Sequence, residues 1–131
     1  MPDDTARTRG GRILVVDDEP HIRRVLDAML DKEGFEVVLT DDGPQGLQAL
    51  AAGGIDLVIL DLLMPGMHGL EVLAKVRSDP DLGRTPVIIL TAKGQDTDRE
   101  AAFAGGADDF MTKPFSPKKL VARVREILGA R

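Results

Sequence analysis

Short runs of unbroken apolar residues, each ending in a polar or charged group, alternate along this chain with longer segments whose apolar residues recur at helical spacing. The first run, Ile13-Leu14-Val15-Val16, closes on Asp17-Asp18. A strand without polar alternation suits burial on both faces, as in a parallel sheet covered by helices. Pro20 can occupy a first helical turn, and Ile22, Val25, Leu26, Met29 and Leu30 then follow helical spacing until Gly34 supplies a stop. Further strands are expected at Glu36 to Thr40, Asp56 to Leu60, Pro86 to Thr91 and Asp109 to Thr112. Further helices are expected at Pro44 to Ala52, Gly69 to Arg77, Thr97 to Ala104 and Ser116 to Leu128, with Gly43, Gly53-Gly54 and Pro65-Gly66 as punctuation.

Five strands alternating with five helices imply a doubly wound α/β sandwich, because right-handed crossovers between parallel strands place helices on both faces of the sheet. A length of 131 residues suits one such domain. Met1 to Gly11 carries Pro, Asp, Thr, Arg and Gly with nothing to bury and reads as a disordered leader, which leaves residues 12–131 as the folded domain. No fixed-period repeat or low-complexity tract is present.

Composition narrows the function. The chain has no cysteine, which excludes disulfides and thiolate metal sites and makes the cytoplasm the default location. A formal net charge of -5, with four Phe and no Trp or Tyr, argues against direct nucleic-acid contact. No apolar run approaches the roughly 20 residues that would cross a bilayer, so no membrane contact is expected.

Ligands of open parallel sheets sit beyond the carboxyl ends of the strands, where the winding direction reverses. Here the first strand ends in Asp17-Asp18, the third in Asp61 and the fourth in Thr91, while the fifth leads through Thr112 to Lys113-Pro114. In the strand order 2-1-3-4-5, Asp61 is central, with the acid pair on one side and Thr91 on the other. Three crowded carboxylates repel one another unless a cation intervenes, and a hard divalent ion suits their oxygens. Magnesium is the first choice and manganese the alternative. Such an ion together with Lys113 would balance the three carboxylates and hold the oxygens of a phosphoryl group arriving on Asp61. A carboxylate nucleophile needs no general base for that chemistry.

These residues resemble a known family, the receiver domains of two-component response regulators, whose fold is flavodoxin-like. The resemblance rests on Val16-Asp17-Asp18-Glu19, Asp61-Leu62-Leu63-Met64-Pro65-Gly66-Met67-His68-Gly69, Leu90-Thr91-Ala92 and Lys113-Pro114-Phe115, in order, and spans Arg12 to Leu128. It implies that Asp61 is the phosphoacceptor, that Asp18 binds magnesium directly and Asp17 partly through water, and that the Leu63 carbonyl is a further ligand. It also implies that Thr91 bonds one phosphoryl oxygen and Lys113 another, and that the Lys113-Pro114 bond is cis. Phe110 takes the place of the switch aromatic, so that Thr91 and Phe110 pass the signal to the fourth helix, fifth strand and fifth helix. The phosphodonor would be a sensor histidine kinase or phosphotransfer protein, and the recipient a downstream effector or effector domain. On this reading the chain is a switch and not an enzyme, acting only on its own phosphorylation state.

The stretch from Lys113 to Leu128 resembles receivers of winged-helix transcriptional regulators, which dimerise through the fourth-helix to fifth-helix face using cross-subunit ion pairs. Asp109 and Arg123 preserve one such pair. Lys119 stands where those receivers commonly have Glu facing the position of Arg99, which would turn another pair repulsive and leave at most a weak homodimer. Leu63 offers no group to orient water, and Lys93 adds a cation near the site. Other readings fit less well. An aspartyl-phosphate phosphatase would resemble an Asp-x-Asp pattern that neither Asp17 nor Asp61 begins. A flavin-binding loop would be rich in Ser, Thr and Gly where this chain has acids. An interaction domain that never accepts phosphate would not need the intact acids, Thr91 and Lys113. His21 and His68 are read as idle surface residues.

Overall fold

The computed structural model describes residues 10–129. Its elements in chain order are β1 (Arg12–Val16), α1 (Pro20–Lys32), β2 (Glu36–Thr40), α2 (Gly43–Ala51), β3 (Leu57–Leu60), α3 (Gly69–Ser78), β4 (Val87–Thr91), α4 (Asp96–Ala104), β5 (Asp109–Thr112) and α5 (Pro117–Gly129). The strands form one parallel sheet in the order β2-β1-β3-β4-β5. The expected fold class and strand order are those observed.

Element ends differ from the sequence-based bounds by a residue or so, for local reasons. Asp56 precedes β3 because its carboxylate accepts the Arg12 backbone N–H at 2.7 Å. Pro86 precedes β4, where it has no N–H to donate, while its carbonyl accepts from the Val58 N–H at 2.9 Å. Asp42 caps α2 by accepting the Gln45 N–H at 2.9 Å, so the helix begins at Gly43.

Successive strand residues point to opposite faces, and the core divides accordingly. Leu14, Val16, Val58, Leu60 and Ile89 pack toward α2, α3 and α4 with Leu50, Val72, Leu73, Val76 and Ala102. Ile13, Val15, Leu57, Ile59, Ile88 and Leu90 pack toward α1 and α5 with Leu26, Leu30, Leu120 and Val124. β1, β3 and β4 are thus covered on both sides, which accounts for their unbroken apolar runs.

Most of the expected leader, residues 1–9, lies outside the described residues, as do Ala130 and Arg131. Gly10 and Gly11, assigned to that leader by sequence, are described. Gly11 is buried, and its carbonyl accepts the Glu36 N–H at 3.0 Å, extending the β1–β2 pairing by one bond. Among the described residues, no helix is long and apolar enough to cross a membrane.

Candidate functional site

Because every strand is parallel, the carboxyl ends of β1, β3, β4 and β5 lie at one edge of the sheet. Asp61 follows β3 directly and is 3% exposed, and its backbone N–H bonds the Val16 carbonyl at 3.0 Å. Asp17, 2% exposed, follows β1, and its N–H bonds the Thr40 carbonyl at 3.2 Å. The two buried carboxylates therefore sit on neighbouring strands. Thr91 ends β4 fully buried, its Oγ1 accepting the Lys93 N–H at 3.2 Å, and its carbonyl accepts the Lys113 N–H at 2.9 Å.

Lys113 closes the group. Its Nζ lies 2.9 Å from Asp17 Oδ2, 3.0 Å from Asp61 Oδ2 and 2.7 Å from Glu19 Oε1, with the side chain only 8% exposed. The Lys113–Pro114 peptide bond is cis. The other oxygens of the two aspartates are held by backbone: Asp17 Oδ1 accepts the Glu19 N–H at 2.9 Å, and Asp61 Oδ1 accepts the Leu63 N–H at 3.1 Å. From α1, Arg23 donates to the Asp17 carbonyl at 2.7 Å. Gly69 begins α3 tight against the acceptor strand, where a Cβ would collide with the Asp61 carbonyl oxygen and the Leu62 Cα.

Electrostatics follow from that burial. Desolvation pushes the Asp17 carboxyl above its usual range, although hydrogen bonds from Lys113 and the Glu19 N–H, with the charge of Lys113, pull it back. Burial alone would lower Lys113, but its bonds to Asp17, Glu19 and Asp61 outweigh that and keep it firmly protonated. Three carboxylates around one ammonium leave a formal charge of minus two, which is what a divalent cation neutralises. Oxygens of Asp17, Glu19 and Asp61 lie within 4.8 Å of one another. Those three carboxylates surround the Lys113 ammonium, and the remaining negative charge of the pocket, with its all-oxygen donors, suits magnesium.

Asp18 stands apart from this group. It lines a cleft of about 560 Å³ with Asp41, Asp42, Pro65 and Gly66, while Glu19, to which sequence reasoning gave no role, bonds Lys113 beside Asp17. The reason is local: in extended backbone consecutive side chains point apart, and Glu19 has φ -86° and ψ 113°, so residues 17 and 19 share a side. The acidic triplet Asp17-Asp18-Glu19 carries that alternation in its sequence. His68, read as idle, caps α3 by accepting the Leu70 N–H on Nδ1 at 3.1 Å.

Away from the acids, Phe110 is buried on β5 beneath Arg99 of α4, whose guanidinium lies 5.1 Å from its ring centroid and 6.0 Å from that of Phe103. Asp109 and Arg123, matched by sequence to a cross-subunit ion pair, meet within one chain at 2.7 Å.

The chain matches the response regulator receiver domain family over residues 13–125. YkoG of Bacillus subtilis, described as an uncharacterized transcriptional regulatory protein, is 45% identical over 118 residues, covering 90% of this chain and 51% of the relative. The transcriptional regulatory protein ResD of the same organism is 42% identical over 125 residues, covering 93% and 50%. The chain therefore spans about half the length of the curated relatives it matches. A solved putative response regulator from Chloroflexus aurantiacus superposes with TM-score 0.87 at 36% identity, covering 92% of this chain and 98% of that one. The receiver domain of a Pseudomonas aeruginosa sensor histidine kinase, with a magnesium ion in its active-site cleft, superposes with TM-score 0.84 at 31% identity over 92% and 98% of the two chains.

Proposed function

The chain belongs to the response regulator receiver domain family of two-component signalling, and from that premise we propose that Asp61 accepts a phosphoryl group from a histidine kinase or phosphotransfer protein. One observation carries the reading: a buried carboxylate at the centre of the sheet edge lies 3.0 Å from a nearly enclosed ammonium and shares that ammonium with a second buried carboxylate. In the transfer, the P–N bond of the phosphohistidine breaks with its electron pair staying on the imidazole. An Asp61 carboxylate oxygen forms the new O–P bond.

Lys113 neutralises the oxygens of the transferred group. Asp17, Asp18 and Asp61, with the Leu63 carbonyl, would hold magnesium or manganese; when bound, the ion supplies further positive charge to the phosphoryl oxygens. Thr91, buried at the end of β4, donates its hydroxyl to a phosphoryl oxygen. Its displacement and that of Phe110 carry the change to the α4-β5-α5 surface. The domain acts as a cytoplasmic switch on an effector or effector domain, catalysing only its own phosphorylation and dephosphorylation. Relatives named as transcriptional regulators favour an effector that controls transcription. Self-association through α4-β5-α5 is at most weak, since Asp109 and Arg123 already satisfy each other within the chain and Arg99 is engaged with Phe110.

The test is intact-mass analysis after incubation with acetyl phosphate. One added phosphoryl group is expected with magnesium and none without it, and Asp61→Asn should stay unlabelled. Full labelling of that variant would move the acceptor elsewhere.

A further inference from the structure

Lys113 is fully subscribed before any phosphoryl group arrives. An ammonium has three protons, and Glu19, Asp17 and Asp61 stand at 2.7, 2.9 and 3.0 Å from it. Once Asp61 is phosphorylated to the acyl phosphate, its carboxyl oxygen loses charge and becomes a poor acceptor, and Lys113 has to turn toward the new phosphoryl oxygens. The other two contacts resist that turn to different degrees. Asp17 is buried, and its second oxygen is fixed by the Glu19 N–H. Glu19 makes the shortest of the three bonds, yet its side chain is 52% exposed.

We infer that Glu19 is a displaceable clamp: it holds Lys113 over the unphosphorylated acceptor and competes with the phosphoryl group for that ammonium. Glu19 is a positioning residue that acts through Lys113. The inference rests on Asp61 being the acceptor and deepens that reading. Its physical basis is reach. Glu19 opens α1 as the N-cap, and its carboxylate meets a lysine 94 residues away, at the far side of the acid group. Solvent on the other side gives the released carboxylate somewhere to go, at little desolvation cost.

Two substitutions separate contact from charge. Glu19→Gln removes the charge and weakens the bond to Lys113. Glu19→Asp keeps the charge but draws it back by one methylene, beyond easy reach of the ammonium. Both variants should bind fluoroberyllate, in saturating magnesium, about fivefold more tightly than the parent, the worth of one such hydrogen bond. Their acetyl-phosphate labelling should also outlast that of the parent. Magnesium affinity, measured by calorimetry without any phosphodonor, should stay within about twofold of the parent in Glu19→Asp, because the charge remains.

A gain in Glu19→Gln alone would mean that Glu19 acts through its field, and the clamp would be wrong. A large loss of magnesium affinity in Glu19→Asp would make Glu19 a metal ligand and equally overturn it. Failure of the parent itself to label on Asp61 would instead remove the acceptor assignment, a result distinct from either.

Discussion

Helices α3 and α4 cover the same side of the sheet and are almost equal in length, yet they are held very differently. α3 buries Gly69, Val72, Leu73 and Val76, whereas α4 buries Ala102 alone. The C-terminal end of α3 is also tied down. Arg77 donates to the Gly106 carbonyl from Nε at 3.0 Å and from Nη2 at 2.7 Å, to the Thr85 carbonyl at 2.6 Å and to Asp108 Oδ2 at 3.1 Å. α4 has no such anchor; its Arg99 lies over the rings of Phe110 and Phe103, and Asp98 leaves a buried Oδ2 without a hydrogen bond. Stability is therefore distributed so that the helix following the Asp61 loop is fixed, and the helix beside Phe110 is loosely attached.

The sharpest way to break this comparison is truncation. Leu73→Ala should cost about 2–5 kcal/mol in urea unfolding, the usual range for a fully buried leucine. Phe103→Ala on α4, where the ring is 42% exposed, should stay within about 0.5 kcal/mol. Equal losses at the two sites would remove the asymmetry. Next in size, Arg77→Met should cost about 1–3 kcal/mol, because it strands the Thr85 and Gly106 carbonyls. A neutral result would show that water replaces the guanidinium.

Hydrogen exchange tests the same point without mutation. Amides of α4 should exchange by local opening well before those of α3, and comparable protection would contradict the burial pattern. A smaller effect than that of Arg77→Met is expected from Arg99→Met, about 0.5–1 kcal/mol for the lost cation–π contact. Ring-proton shifts of Phe110 should change in that variant, and unchanged shifts would mean that Arg99 does not touch the ring in solution.

The weak attachment of α4 was readable from its Ala-rich and charged residues, because amphipathic pattern and composition report directly on how much a helix can bury. The anchoring of α3 was not. In the sequence Arg77 only marks the end of an expected helix, and only the fold brings Gly106 and Asp108, about thirty residues on, against it. Gly106, with φ 102°, is part of that arrangement: a Cβ there would press on the Arg77 side chain.

Sequence by itself determined the alternation of elements, the parallel sheet and the edge at which Asp17, Asp61, Thr91 and Lys113 gather. Each of these follows from local apolar periodicity and from the rule that parallel strands all end on one side. Tertiary structure alone decided that Lys113, 94 residues along the chain, takes Glu19 as a third partner, and that Asp109 pairs with Arg123 inside the chain. Those choices depend on what distant segments of the chain bring within reach of a side chain, which the spacing of a local pattern does not encode.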